Sequence, residues 1–172
     1  AGRIHDGQIC VHALCIVPFV DGIAIPVIFV PGHFPILQQA LQGYAIALAL
    51  QQKGKRCRVC WTGELAGFYS LITENYQPDL IEEPGFVLAV DLANTRLLPE
   101  ETIGYSDRVD MVIDHHATSV EFARETLLEA AASCCAEIIF KVINAMGCRV
   151  TTDIANCIYV GLSTDTGCFR YS

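Results

Sequence analysis

Three apolar runs along the chain each stop at an acidic or imidazole side chain. Phe86-Val87-Leu88-Ala89-Val90 stops at Asp91, and Val109-Asp110-Met111-Val112-Ile113 stops at Asp114-His115-His116. Ile158-Tyr159-Val160-Gly161-Leu162 leads into Ser163-Thr164-Asp165. Unbroken apolar runs of this length fit strands buried on both faces. The pattern elsewhere predicts a helix over 38–53 ended by Gly54, a strand over 56–61 and a short helix over 64–72. Pro84-Gly85 turns the chain into the 86–90 strand, and 97–106 reads as a polar connection. A long helix is expected over 127–146, closed by Gly147, because glycine favours the left-handed C-cap. Thr151-Thr152-Asp153 then caps a last helix over 154–162 that feeds the Asp165 loop. Strands alternating with helices predict an α/β fold, a parallel sheet covered by helices on both faces.

Residues 8–31 hold two further apolar runs, broken by Pro18, Asp21-Gly22 and Pro26. Their length approaches that of a membrane helix, but prolines, glycines and a charge fit strands better, so no membrane span is expected.

The carboxyl ends of parallel strands converge on one crevice, where open α/β sheets place ligands. A lone strand-end aspartate is usually a turn former or helix cap, and two histidines beside it can simply be solvated. Three such ends arriving together favour a site, and Asp91, His115 and Asp165 are the candidate ligands. Imidazole and carboxylate together suit manganese, iron or zinc.

Composition narrows the partners. The 172 residues are 52% hydrophobic, enough for one domain with a real core, and carry a net charge of −8. Duplex DNA is not an expected partner, since duplex binding rests on many Lys and Arg contacts to phosphate. A bound cation could supply positive charge locally for a small phosphorylated substrate. Nine cysteines, scattered and without a visible secretory signal, read as reduced thiols of a cytoplasmic protein. Cys57-Arg58-Val59-Cys60 lacks a second pair at zinc-like spacing. On a strand, Cys57 and Cys60 would face opposite sides, so packing thiols are expected rather than ligands.

Val-Ile-Asp-His-His-Ala-Thr (112–118), Ala-Val-Asp (89–91) and Gly-Leu-Ser-Thr-Asp-Thr-Gly-Cys-Phe-Arg-Tyr-Ser (161–172) resemble motifs of the DHH phosphoesterase superfamily. The nearest branch is the bacterial oligoribonuclease/pAp-phosphatase group, related to RecJ-like nucleases and cyclic dinucleotide phosphodiesterases. The helix from Gly43 onward and the segment from Ala132-Ser133 through Ala136-Glu137 also resemble that family, so the likeness spans about 43–172. It implies two-metal hydrolysis of phosphate esters of short single-stranded oligoribonucleotides or small nucleotides, with Mn2+, or Mg2+ or Co2+, as cofactor. It further implies that Asp91 bridges the ions, that His115 and Asp165 bind one of them, and that His116 faces the substrate phosphate. Asp114 orients its neighbours, Arg170 contacts phosphate or a carboxylate, and a homodimer is compatible with the family pattern.

The chain departs from that pattern at its start. The family's first motif, His-x-x-x-Asp-x-Asp, supplies three ligands. Extending back from Gly43 keeps the proline at Pro35 but places Ile36 and Gln38 at the aspartates and Gly32 at the histidine. His33 is one residue out of register, and Asp21-Gly22-Ile23-Ala24-Ile25 resembles a displaced fragment of the motif. Either the first metal-binding motif has diverged, leaving one ion instead of two, or a frameshift has altered the first forty residues. Residues 1–42 are therefore expected to be irregular, and the pocket beside Asp91 incomplete. The family's second, smaller substrate domain has no counterpart after Ser172, so 1–172 reads as one DHH-type domain. A catalytically impaired relative that binds a metal or nucleotide, or a cyclic dinucleotide phosphodiesterase, are the alternative readings.

Overall fold

The runs that stop at Asp91 and at Asp114-His115-His116 are neighbouring parallel strands. The computed structural model describes residues 27–29, 36–61, 67–78, 83–98 and 100–170, without the side chains of 27–29, 36–39, 68, 100 and 101. Five strands are present among them: β1 (Val27–Phe29), β2 (Arg58–Cys60), β3 (Val87–Val90), β4 (Met111–Asp114) and β5 (Glu125–Leu128). Four α-helices accompany them: α1 (Ile36–Gln52), α2 (Phe68–Ile72), α3 (Cys135–Ala145) and α4 (Thr152–Asp165). The sheet order is β2-β1-β3-β4-β5, and all four pairings are parallel. The chain is thus an α/β protein with a parallel sheet flanked by helices.

Side chains alternate across a strand, so each run feeds two cores. Leu88, Val90, Met111 and Ile113 join the core made with α1, α3 and α4. Val87, Ala89 and Val112 face the other way and pack with Leu92, Leu98 and Val109. That second face is closed by 3₁₀ helices at Thr95–Leu97 and Glu100–Arg108, where the sequence had suggested only a polar connection. Cys57 falls in the first core and Cys60 against the second, as strand alternation requires. No disulfide forms among the described residues.

Gly54 (φ +71) and Gly147 (φ +66) end α1 and α3 as expected. In each, the next amide reaches back five residues, Lys55 N–H to Leu50 C=O and Cys148 N–H to Ile143 C=O. Thr151 caps α4 by accepting from the Ile154 amide.

Two expectations need correction. The long helix over 127–146 is instead β5 followed by α3, because Glu125–Leu128 pair with β4. The helix starts only where Glu137 accepts from both the amide and the hydroxyl of Ser133 and Cys134 takes an extended conformation. The last helix also runs on to Asp165, so that carboxylate comes from a helix end and not from a loop.

At the start of the chain, Val27–Phe29 is a regular strand between β2 and β3 where irregular backbone was expected. Pro18, Asp21, Pro26 and His33, with the rest of 1–26 and 30–35, lie outside the described residues. Among the described residues no helix is long and apolar enough to cross a membrane.

β2 is an edge strand, yet its outer groups are not left open. The Tyr76 hydroxyl accepts from the Val59 amide at 3.0 Å and donates to the Cys57 carbonyl at 2.9 Å. Its ring packs edge-on against Tyr44, centroids 4.8 Å apart. Tyr76→Phe keeps the ring and strands two buried backbone groups. It should destabilise the fold by about 1–3 kcal/mol in urea unfolding. A neutral result would show that the edge is held by packing alone.

Candidate metal centre

Parallel pairing sets Val90 opposite Ile113, which brings the next residues, Asp91 and Asp114, to the same edge of the sheet. The pairing continues one step further, with the Asp91 amide donating to the Ile113 carbonyl at 2.8 Å. Asp91 then leaves the strand at φ +58, a left-handed conformation that aspartate tolerates better than most residues. That turn accompanies a carboxylate only 2% exposed, whose Oδ1 accepts no hydrogen bond among the described residues.

What surrounds this oxygen is imidazole. His115 Nε2 lies 3.6 Å from Asp91 Oδ1 and 3.6 Å from Asp165 Oδ2. His116 Nδ1 lies 3.7 Å from Asp91 Oδ1. One donor atom from each of Asp91, His115 and His116 falls within 4.8 Å of the others. Two donors on one ion at about 2.0–2.2 Å stand roughly 3–4 Å apart, so the two His115 separations fit ligands of a common cation. They are too long for hydrogen bonds. A buried, unpartnered carboxylate oxygen is an expensive group that a cation would satisfy.

Asp114 is set up differently. Its Oδ1 accepts from the His115 amide at 2.8 Å and the His116 amide at 3.2 Å, and lies 2.7 Å from His116 Nδ1. Burial alone would raise this carboxyl, but the hydrogen bonds from His116 outweigh it and hold it below its ordinary value. The same contact raises the proton affinity of His116, against the effect of partial burial. With Nδ1 committed to Asp114, the Nε2 of His116 is the nitrogen left for a ligand.

Burial, then the neighbouring Asp165 carboxylate, pushes Asp91 up to about 6, against the lowering influence of His115 and His116. Asp165 is raised by burial, with both histidines opposing.

The fold therefore brings together Asp91, Asp114, His115, His116 and Asp165. Arg170 is exposed, its amide donates to the Thr166 carbonyl, and among the described residues no bond joins its guanidinium to the cluster. His33 and Asp21 lie outside the described residues. Cys135 is a neighbour that sequence reasoning passed over. It opens α3, is fully buried, and its thiol donates to the Ile113 carbonyl at 3.4 Å. The cue in the sequence was its place just after Ser133 and before Glu137, the pair that starts the helix.

No family model matches the chain. Over 60 residues it is 32% identical to the "Bifunctional oligoribonuclease and PAP phosphatase NrnA" of Thermus thermophilus, a match covering 35% of this chain and 18% of that protein. Its fold superposes with a TM-score of 0.71 on an exopolyphosphatase-related protein from Bacteroides fragilis, at 22% identity. That match covers 87% of this chain and 47% of the other. The chain spans less than half the length of either protein in these matches, and the structural likeness speaks for the fold alone.

A carboxyl group raised by burial favours the protonated form in the folded state. The stabilisation it gives is complete below the unfolded value of about 4 and is lost as pH climbs through about 6. In metal-free protein, Asp91→Asn should therefore stabilise the fold by on the order of 2 kcal/mol near about pH 7.5, the gain shrinking towards about pH 4. Urea unfolding with a chelator at both pH values measures this. A destabilised Asn variant at the higher pH would refute the burial account.

Proposed function

We propose that this chain is a divalent-metal phosphoesterase domain acting on phosphate esters of short single-stranded oligoribonucleotides or small nucleotides such as pAp. The observation that carries the reading is His115 Nε2 standing 3.6 Å from two carboxylate oxygens, one of them fully buried and without a hydrogen bond. The oligoribonuclease and PAP phosphatase named above supports the substrate class. The net charge of −8 also disfavours long polyanions.

Asp91, His115 and Asp165 would hold the ion, a mixed nitrogen and oxygen set that suits Mn2+ and admits Mg2+ or Co2+. A divalent cation supplies a nucleophile at neutral pH and draws charge from phosphoryl oxygens. The chain's own residues do the rest. Asp114 fixes the His116 ring through Nδ1, which leaves Nε2 for the substrate. His116, its proton affinity raised, can meet a phosphate oxygen as a cation. Asp91 keeps its carboxylate out of water, where its charge acts at short range and low dielectric.

A second reading, a catalytically impaired relative, has a specific observation behind it. β1 pairs directly with β3, the strand that ends at Asp91. From 30 to 42 the sequence offers no carboxylate, and His33 alone could ligate a transition metal strongly. This favours one ion where the superfamily's pattern has two.

The expected stoichiometry is one Mn2+ per chain, measured by calorimetry or elemental analysis, and the paired change Asp91→Asn with His115→Ala should abolish it. Full occupancy in that double variant would end the assignment. With one ion in place, hydrolysis of a short oligoribonucleotide should run at least roughly 10²–10³-fold below that of a relative with the first motif intact, the scale of losing one strong source of transition-state charge stabilisation. Comparable turnover would show that the missing carboxylates are not needed.

A further inference from the structure

We infer that Cys135 is a positioning residue for the metal centre, acting through the backbone that sets the direction of Asp91. This rests on the proposal that Asp91 and His115 share a cation. The Ile113 carbonyl is a junction: it accepts the Asp91 amide at 2.8 Å and the Cys135 thiol at 3.4 Å. Ile113 immediately precedes Asp114-His115-His116, so one carbonyl links both ligand-bearing strand ends to the first turn of α3.

The need for such a junction follows from the local conformation. Asp91 is a non-glycine residue at φ +58, and single left-handed residues persist where their surroundings over-determine them. On the strand side the Ile113 bond holds the Asp91 amide. On the helix side the fully buried thiol holds the same carbonyl, and α3 is anchored by Ile138, Ile139 and Val142 in the main core. A thiol is a weak donor, so its contribution is directional and steric. Without it, the peptide before Asp91 gains freedom, and the carboxylate loses its fixed 3.6 Å approach to His115. Cys135 itself touches no proposed substrate or ion.

The test uses the full chain, with Co2+ as probe because its visible absorption reports ligand geometry. Cys135→Ser keeps a donor of similar direction. Cys135→Val fills the space without one, and Cys135→Ala serves if valine prevents folding. The serine variant should match wild type in cobalt affinity and spectrum. The folded valine or alanine variant should bind about 10-fold or more weakly, with an altered absorption envelope, the range seen when residues that orient ligands are changed. A merely structural role would lower the unfolding midpoint in all variants and leave the spectrum alone. Folded valine and alanine variants with wild-type affinity and spectrum would overturn the role of Cys135. Wild-type chain that takes up no cobalt would overturn the metal reading beneath it.

Discussion

The hydrogen bond from the Asp91 amide to the Ile113 carbonyl is the constraint on which the centre depends. It is the last rung of the parallel ladder between β3 and β4, placed where both strands run out of apolar residues. Below it every side chain of the two strands is buried, and above it come Asp91, Asp114, His115 and His116. A shift of one residue in this register would move the apolar set of β4 to the opposite face and separate the donors. The core thus holds the site's geometry: the register that buries Leu88, Val90, Met111 and Ile113 is the one that sets Asp91 beside the histidines.

Asp91 and Asp114 show how environment divides labour between identical side chains. Asp114 is buried, and although its Oδ2 has no partner among the described residues, two amides and an imidazole on Oδ1 hold its carboxyl below the ordinary value. Asp91 is buried with a bare oxygen beside another carboxylate, and its carboxyl is pushed up. The first arrangement fixes a ring, and the second leaves a high-energy acceptor directed at the place where the imidazoles converge. Neighbouring titratable groups pushed in opposite directions are one signal by which functional sites are recognised.

The first strand separates backbone from chemistry. β1 occupies an interior position between β2 and β3 although the sequence from 30 to 42 offers no carboxylate after it. Strand pairing needs an extended apolar segment of the right length, and Val27–Phe29 supplies one. Ligand identity is a separate requirement that pairing does not enforce. A chain can therefore keep the whole architecture while offering fewer carboxylates to a cation.

Much of this was legible in the sequence. Strands β3 and β4, helix α1, the glycine stops at Gly54 and Gly147 and the Thr151 cap all follow from local chemistry: apolar runs, left-handed glycine and side-chain capping. Asp91, Asp114, His115 and His116 were legible for the same reason, since they lie at strand ends that a parallel sheet must bring together. The sequence by itself could not separate β5 from α3, because Leu127 and Leu128 continue an apolar pattern into a helix-compatible segment. Only pairing with β4 decides that they extend. Nor could it assign Asp165 to a helix end, or show that Tyr76 seals the edge of β2 and that the Cys135 thiol meets the Ile113 carbonyl. Those contacts join residues 17 to 22 positions apart. Their partners are chosen by the packing of α3 and the strand ends, and a local reading of periodicity carries no term for that distance.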